Sequence, residues 1–190
     1  MERIRQNFEQ AIQQKISDEE WALFSSKLTR KEFPKKHTLL RSGQIENYLS
    51  FVETGVVRYF IPKIENDVTF TFVFDNNFIS AYDSFITRAP SNYQIVTLTK
   101  TTLWRLTFND LQTIYKETEV GNLIGRKASE ELYLKKSRRE LSLLNETAEQ
   151  RYLNLFTEQP QLIQHIPLKY IASYIGVTPQ ALSRIRKRIC

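Results

Sequence analysis

The chain has 190 residues, of which 41% are hydrophobic and 12% aromatic, enough for one large packed domain or two modest ones. No apolar run approaches the ~18 residues of a membrane-spanning helix, and the charged N-terminal residues contain no apolar signal-peptide segment. One cysteine, Cys190, excludes a disulfide framework and a cysteine-ligated zinc or iron–sulfur site within one chain. We therefore expect a cytoplasmic protein without a membrane span.

Positive charge is concentrated in the C-terminal part of the chain. The formal net charge is +6, and residues 159–190 contain five basic residues but no acidic one. The preceding 158 residues therefore carry only about +1. Such an uneven distribution is typical of a surface that binds a polyanion such as nucleic acid.

The first 30 residues predict two helices. Ile4, Phe8 and Ile12 recur every fourth residue and form an apolar stripe along the first helix. The stretch Ser17–Glu20 has the Ser-x-x-Glu pattern of a capping box, which marks the start of the second helix. We expect both helices to pack at the edge of the next domain.

Between Phe33 and Leu106 the pattern changes to short strands. Runs of β-branched and aromatic residues alternate with turn signals rich in Gly, Asn, Asp and Pro. Phe70, Phe72 and Phe74 occupy every second position, as in a strand that is buried on one face. The predicted strands are Leu49–Val52, Val56–Ile61, Val68–Phe74, Gln94–Leu98 and Thr102–Leu106. Short strands at this spacing predict a small antiparallel barrel or roll.

A short helix is predicted at Phe108–Tyr115 and a long one at Glu119–Leu144. The long helix carries more apolar residues than a helix in free solvent would hold. They are Val120, Leu123, Ile124, Leu132, Leu134, Leu141 and Leu144. This pattern favours a dimer seam, and packing against the chain's own barrel is the alternative. The basic run Lys135–Arg139 is expected on the solvated side, with contact to DNA or an anionic ligand as a second possibility.

Two short helical patterns follow near the C-terminus, separated by Gly176, and a further helix that begins at Thr147 precedes them. Thr178 and Pro179 are suited to the N-cap and the first position of the last helix. A small residue, Ala172, lies where two crossing helices must approach closely. These features predict a helix-turn-helix in which Thr178–Arg188 enters the DNA major groove.

A buried helical hairpin would give the same spacing, but the concentration of basic charge favours DNA binding. Arg184 is the best candidate for a base contact, because its planar fork can bond to two acceptors of one guanine. Gln180 is the second candidate, for adenine. The expected phosphate contacts are Thr178, Ser183, Lys187 and Arg188.

Four stretches match motifs of one known family. They are Lys35–Gly43, Phe51–Arg58, Glu149–Tyr152 and, most specific, Ile171–Lys187. On these motifs, and over nearly its whole length, the chain resembles the Crp/Fnr-family transcriptional regulators, specifically the short variety common in Bacteroidetes. The resemblance implies a cyclic-nucleotide-binding-like β-roll, a long dimerisation helix and a helix-turn-helix that binds two-fold DNA sites. It also implies a homodimer and RNA polymerase as a partner.

The predicted fold class is therefore α+β with three parts. Residues 1–117 would form the helical N-terminus and an antiparallel, cyclic-nucleotide-binding-like β-roll. Residues 118–145 would form the dimerisation helix, and residues 146–190 the helix-turn-helix DNA-binding domain. The segment between Pro160 and Pro167 is too short for the full β-hairpin that many relatives have there.

The residues that hold a cyclic nucleotide in this family are missing. Nucleotide-responsive members use a Gly-Glu-Leu turn for the ribose and a later Arg-Ser pair for the phosphate, whereas the matching stretches here are Phe78–Tyr82 and Ser91–Gln94. A buried phosphate without a paired cation costs several kcal/mol, so we do not expect cyclic AMP to be the effector. Arg88 is a nearby cation that could replace the missing arginine. For an unknown small-molecule effector, the candidate pocket residues are Ser80, Tyr82, Asn92 and Tyr93.

Two other functional classes are alternatives to a DNA-binding regulator. A small-molecule sensor would use the roll as its main site, with a pocket lined by aromatic residues that otherwise fill the core: Phe72, Phe74, Phe78, Tyr82 and Tyr93. A metal-dependent enzyme of the cupin kind needs several histidines and a carboxylate on one metal, and the chain has only His37 and His165. Haem ligation by His37 is a further alternative. We expect no enzymatic activity, no metal site and no cofactor.

Overall fold

The computed structural model describes residues 1–189, and Cys190 lies outside the described residues. Two antiparallel sheets are preceded and followed along the chain by helices, and helices alone form the C-terminal region, which confirms the predicted α+β class. Among the described residues, no helix is both long and apolar enough to cross a membrane.

The N-terminal helices follow the predicted pattern. Helix α1 spans Glu2–Ile12 and α2 spans Asp18–Ser26. Ile4, Phe8 and Ile12 are buried in the same hydrophobic core as residues of the strands. The Ser17 hydroxyl accepts a hydrogen bond of 3.2 Å from the Glu20 N–H, as a capping box requires.

Eight strands form the roll. They are β1 (Thr29–Phe33), β2 (Thr38–Leu40), β3 (Tyr48–Thr54), β4 (Val57–Ile61), β5 (Val68–Val73), β6 (Phe78–Ile79), β7 (Gln94–Thr97) and β8 (Thr101–Thr107). One sheet has the order β1-β8-β3-β6 and the other β2-β7-β4-β5. The turn between β3 and β4 requires Gly55, because a Cβ atom at its φ of +118° would lie 2.8 Å from the Thr101 Cα.

The remaining helices include two that the sequence did not predict. They are α3 (Tyr82–Thr87), α4 (Phe108–Glu117), α5 (Glu119–Asn145), α6 (Ala148–Glu158), α7 (Pro160–His165), α8 (Leu168–Ile175) and α9 (Pro179–Ile189). The unpredicted ones are α3 and α7. Helix α7 fills the segment in which a reduced β-hairpin was expected.

The chain divides into two compact units. The first contains residues 1–59 and 72–132, with a core to which Phe51, Phe85 and Leu106 contribute. The second contains residues 60–71 and 133–190, that is, the outer part of the β4–β5 hairpin, the C-terminal part of α5 and helices α6–α9. The candidate DNA-binding residues all lie in the second unit.

Candidate nucleic-acid interface

Helices α8 and α9 are joined by a short turn at Gly176. Its φ of +81° is in the left-handed region, which glycine adopts without strain and which commonly ends a helix. The Gly176 N–H donates to the Ser173 carbonyl at 3.2 Å, and the Val177 N–H donates to the Ala172 carbonyl at 2.9 Å. These bonds stop α8 and turn the chain sharply into α9.

Helix α9 has the two faces that the sequence predicted. The Thr178 hydroxyl accepts a hydrogen bond of 3.2 Å from the Ala181 N–H and so caps the helix. Leu182 and Ile185 are only 1% and 6% exposed. The candidate contact residues Gln180, Ser183, Arg184 and Lys187 are all exposed. The helix therefore packs through its apolar face and leaves its polar face free for a ligand.

The basic residues of α9 differ in their pairing. Arg188 Nη2 lies 2.8 Å from a carboxylate oxygen of Glu149, so this guanidinium is paired within the protein. In the part of the chain that the structure describes, Arg184, Arg186 and Lys187 make no ion pair. These three cations form the available positive surface of the helix, and a phosphate contact from Arg188 would have to compete with Glu149.

One residue of the basic run on α5 is not solvated as expected. Arg139 is half-buried, its guanidinium lies 4.1 Å from the centre of the Tyr174 ring, and its Nη2 donates to the Tyr174 carbonyl. Lys135, Lys136 and Arg138 are exposed. The run therefore splits into a solvated part and one arginine that is bound to α8.

Ser173 of α8 contacts the β4–β5 hairpin, and the sequence did not predict this contact. The Ser173 hydroxyl donates to the Asp67 carbonyl at 2.5 Å and accepts from the Thr69 N–H at 2.7 Å. Asp67, which directly precedes β5, and Thr69 of β5 belong to the same compact unit as α8. The residues that bond to Ser173 are more than a hundred positions away in the chain, so no local pattern indicates them.

The four candidate effector residues have different surroundings in the structure. Ser80 donates to the Tyr48 carbonyl at 3.0 Å, and the Tyr93 hydroxyl donates to the Asp83 carboxylate. Tyr82 stacks on Phe85, and Asn92 is exposed. A cavity of about 10 Å³ in the roll, room for about one water molecule, has only Ser80 of these four in its lining. Its other lining residues are Leu39, Glu46, Ser50, Ile79, Ile95, Leu103 and Arg105.

Arg88, the cation near the candidate effector residues, is half-buried and bonds to neighbouring groups of the protein. Its Nη1 donates to the Glu46 carbonyl at 2.7 Å, and its Nη2 donates to the Asn47 side chain at 2.6 Å. The guanidinium also lies 5.0 Å from the ring centre of Phe108.

Two acidic side chains, Asp83 and Glu46, lie in this part of the roll. Burial, and then the Asp83 carboxylate, raise the pKa of the Tyr93 hydroxyl, which keeps it a neutral donor to Asp83. Glu46 is buried, and its carboxylate accepts from the Tyr48 N–H at 3.0 Å and the Ala81 N–H at 3.4 Å. Burial raises the pKa of Glu46, while these hydrogen bonds and nearby Arg105 oppose the rise.

The residues of the two alternative functional classes have structural or solvated positions. Phe78 stacks on Phe8 at 5.3 Å and meets Phe51 edge-on at 5.1 Å, so it fills the core. His37 and His165 are both exposed. Within residues 1–189, no three His, Cys, Asp or Glu side chains are grouped so that they could hold a metal.

Comparison with known proteins identifies the roll. Residues 30–118 match the family model of the cyclic nucleotide-binding domain. No curated protein has significant sequence similarity to the chain.

Solved structures resemble the chain over most of its length. A regulator from Eubacterium rectale that is assigned to the Crp/Fnr family has a TM-score of 0.73 at 16% identity, over 92% of this chain and 83% of that one. CLP from Xanthomonas campestris, a c-di-GMP-responsive global regulator, has a TM-score of 0.70 at 17% identity, over 91% of both chains. A mutant of CooA from Carboxydothermus hydrogenoformans has a TM-score of 0.70 at 16% identity, over 89% of this chain and 78% of that one.

The predicted resemblance is thereby confirmed at the level of the fold. Two of these three proteins are named as regulators and none as an enzyme. Residues 30–118 match the model of the cyclic nucleotide-binding domain, and the chain as a whole has the fold seen in regulators of the Crp/Fnr family.

Proposed function

We propose that this protein is a cytoplasmic, homodimeric transcription regulator that binds specific DNA sequences and has no enzymatic activity. The observation that carries this proposal is the pair α8–α9, in which Leu182 and Ile185 are buried while Arg184, Arg186 and Lys187 are exposed and unpaired within the described residues. A helix of this kind can lie in the major groove, with its side chains at base edges and phosphates. RNA polymerase is added as a partner on the family resemblance alone.

Arg184 is the proposed base contact, and Gln180 the second. Both are exposed on α9 and neither makes a hydrogen bond within the described residues, so their donors are free for base edges. Thr178, Ser183 and Lys187 are proposed to hold phosphates, with Arg188 as a further contact if it leaves Glu149.

The exposed apolar residues of α5 are proposed to form the dimer seam. In the first unit, Val120 and Ile124 are buried in the core. In the second, Leu134 and Leu141 lie one heptad apart and are 50% and 54% exposed, and Leu144 is 74% exposed. Leucines at heptad spacing pack well against a second copy of the same helix.

The seam can be tested by introducing a charge into it. We expect Leu141→Glu to make the protein monomeric at concentrations where the wild type is dimeric, as measured by sedimentation velocity. Arg126→Glu, at an exposed position of the same helix, serves as the control and should leave the mass unchanged. A wild-type protein that is monomeric at micromolar concentration would contradict the proposal.

The roll is proposed not to bind cyclic nucleotides. Arg88 is engaged by Glu46 and Asn47, and the hydrogen bond from Tyr93 holds the Asp83 carboxylate of α3 against the stretch that would face the phosphate. Calorimetric titration of the protein with cyclic AMP and cyclic GMP should show no binding at millimolar ligand. Micromolar affinity for either would contradict this part of the proposal.

DNA binding itself can be tested with an arbitrary duplex. We expect affinity to fall about 10³-fold or more between about 50 and about 200 mM salt, because Lys and Arg displace counterions from phosphates. Replacing Arg184 and Lys187 by Glu should abolish binding, as measured by fluorescence anisotropy. Replacing exposed Lys35 and Lys36 by Glu makes the same charge change in the first unit and should have a much smaller effect. Equal losses in the two double variants would show that α9 is not the DNA surface.

A further inference from the structure

We propose that Arg139 and Arg151 are positioning residues that fix the helix-turn-helix to α5 and thereby set the distance between the two DNA half-sites. The inference rests on the proposed function, since it concerns the specificity of the same dimer for DNA. It assigns a role to two arginines that are not themselves expected to touch DNA.

The four last carbonyl groups of α8 all have partners, and two of those partners are arginines. The Ala172 and Ser173 carbonyls accept from the backbone N–H groups of the turn. The Tyr174 carbonyl accepts from Arg139 Nη2, and the Ile175 carbonyl accepts from Arg151 Nε at 2.9 Å. Helix ends leave four such carbonyls without intrahelical partners, so the set is complete at this end.

One of the two arginines lies in the C-terminal part of α5, and the other lies in α6, the next helix along the chain. Arg139 lies within α5, and its guanidinium is stacked on the Tyr174 ring. Arg151 lies on α6 and also donates through Nη1 to the Glu146 carbonyl, directly after α5 ends. Each arginine therefore connects the end of α8 to the end of the helix that we propose as the dimer seam.

The turn itself lies against the same two elements. A Cβ atom built on Gly176 would lie 3.7 Å from Arg151 Nη2 and 3.9 Å from a methyl carbon of Leu143, which belongs to α5. Helix α9 follows this turn and packs through buried Leu182 and Ile185. A contiguous path of contacts thus leads from α5 through the end of α8 to α9.

The two carbonyls bonded by the arginines belong to Tyr174 and Ile175, which are 7% and 0% exposed, so the guanidinium groups satisfy polar atoms of buried residues. What the planar guanidinium groups add is orientation, because each bonds or stacks in a defined direction. In a dimer joined through α5, a fixed orientation of α8 sets the separation of the two α9 helices, which must match half-sites about one helical turn apart.

The test measures the affinity of the whole protein for three kinds of duplex. The first is a palindrome selected from random sequences, the second is the same palindrome lengthened by one base pair between its half-sites, and the third carries a single half-site. We expect the wild type to discriminate against the lengthened duplex by about tenfold, and Arg139→Ala to discriminate only about twofold, given what a hydrogen bond from a charged group contributes. Affinity for the single half-site should remain unchanged.

Two further variants separate positioning from folding and from charge. Arg138→Ala removes the same charge from the neighbouring, exposed position and should behave as the wild type. Arg139→Lys keeps the charge and a donor but lacks the planar stack on Tyr174, so it should show intermediate discrimination.

The outcomes are distinguishable. Wild-type discrimination in a folded Arg139→Ala protein would overturn the inference while leaving the proposed function intact. Loss of single half-site affinity together with helical circular dichroism would mean that Arg139 only stabilises α8, which also overturns it. If the wild type selects no palindrome, the proposed function fails and this inference fails with it.

Discussion

Replacing Arg184 by alanine is the sharpest perturbation of the proposed interface. The side chain is exposed on α9, and within the described residues it makes no hydrogen bond or ion pair. Substitutions at such positions usually change the free energy of unfolding by less than about 0.5 kcal/mol. Any larger effect on DNA binding must therefore arise from a contact that Arg184 makes with DNA.

The size of the effect follows from the symmetry of the dimer. A bidentate contact between arginine and guanine contributes about 1–3 kcal/mol of discrimination against the wrong base. A palindrome would contain two such contacts, so the dimer should lose about 2–6 kcal/mol if the half-sites act independently. This corresponds to a loss of between about 30-fold and about 20,000-fold in affinity.

The assay is a set of anisotropy titrations with the selected palindrome and with duplexes substituted at each position of the half-site. For Arg184→Ala, discrimination should disappear at one position per half-site and persist at the others. Lys187→Ala is the matched control on the same helix, and it should weaken all duplexes alike and flatten the salt dependence. Uniform weakening by Arg184→Ala, or an unchanged salt slope for Lys187→Ala, would refute the assigned roles.

Two further predictions concern stability. Gly176→Ala should lower the free energy of unfolding by about 1–2 kcal/mol, because alanine is disfavoured at φ +81° even though its Cβ atom would have space. Gly176→Asn should lower it less, because asparagine tolerates this conformation better. Equal stability of the wild type and Gly176→Ala in urea unfolding would contradict the prediction. The folded-state pKa of Glu46 is raised, so its contribution to stability is fully present below the unfolded pKa and is lost as pH rises through the folded one. The free energy of unfolding, measured across acidic pH, should therefore fall less with rising pH in Glu46→Gln than in the wild type. Parallel pH dependences of the two proteins would show that Glu46 does not have a raised pKa in the folded state.

The elements that the sequence predicted well are those with a strong local pattern. The Thr178-Pro179 pair begins α9 as expected. Phe70 and Phe72 lie in strand β5, but the strand ends before Phe74, and Thr69 and Val73 of the opposite face are buried although burial on the phenylalanine face alone was expected. Strand β1 was missed because four of its five residues are exposed, which leaves no alternation to detect. Helix α3 has six residues, too few to show a helical period.

Whether an individual arginine is bonded within the protein or solvated could not be predicted, because its partners come from distant parts of the chain. Arg88 bonds to Asn47, 41 positions away, and Arg139 bonds to Tyr174, 35 positions away. In the sequence, Arg139 is indistinguishable from its basic neighbour Arg138. Only the packing of α5 against α8 separates a structural arginine from a solvated one.

The most direct test of the central claim is selection of random duplex DNA by the purified protein, at two salt concentrations and without added ligand. If two α9 helices are held by a dimer through α5, the recovered sequences should form a palindrome with half-sites about one helical turn apart. Recovery of the palindrome at both salt concentrations would establish a dimer that recognises DNA without an effector. Binding that is salt-sensitive and shows no sequence preference would contradict the claim.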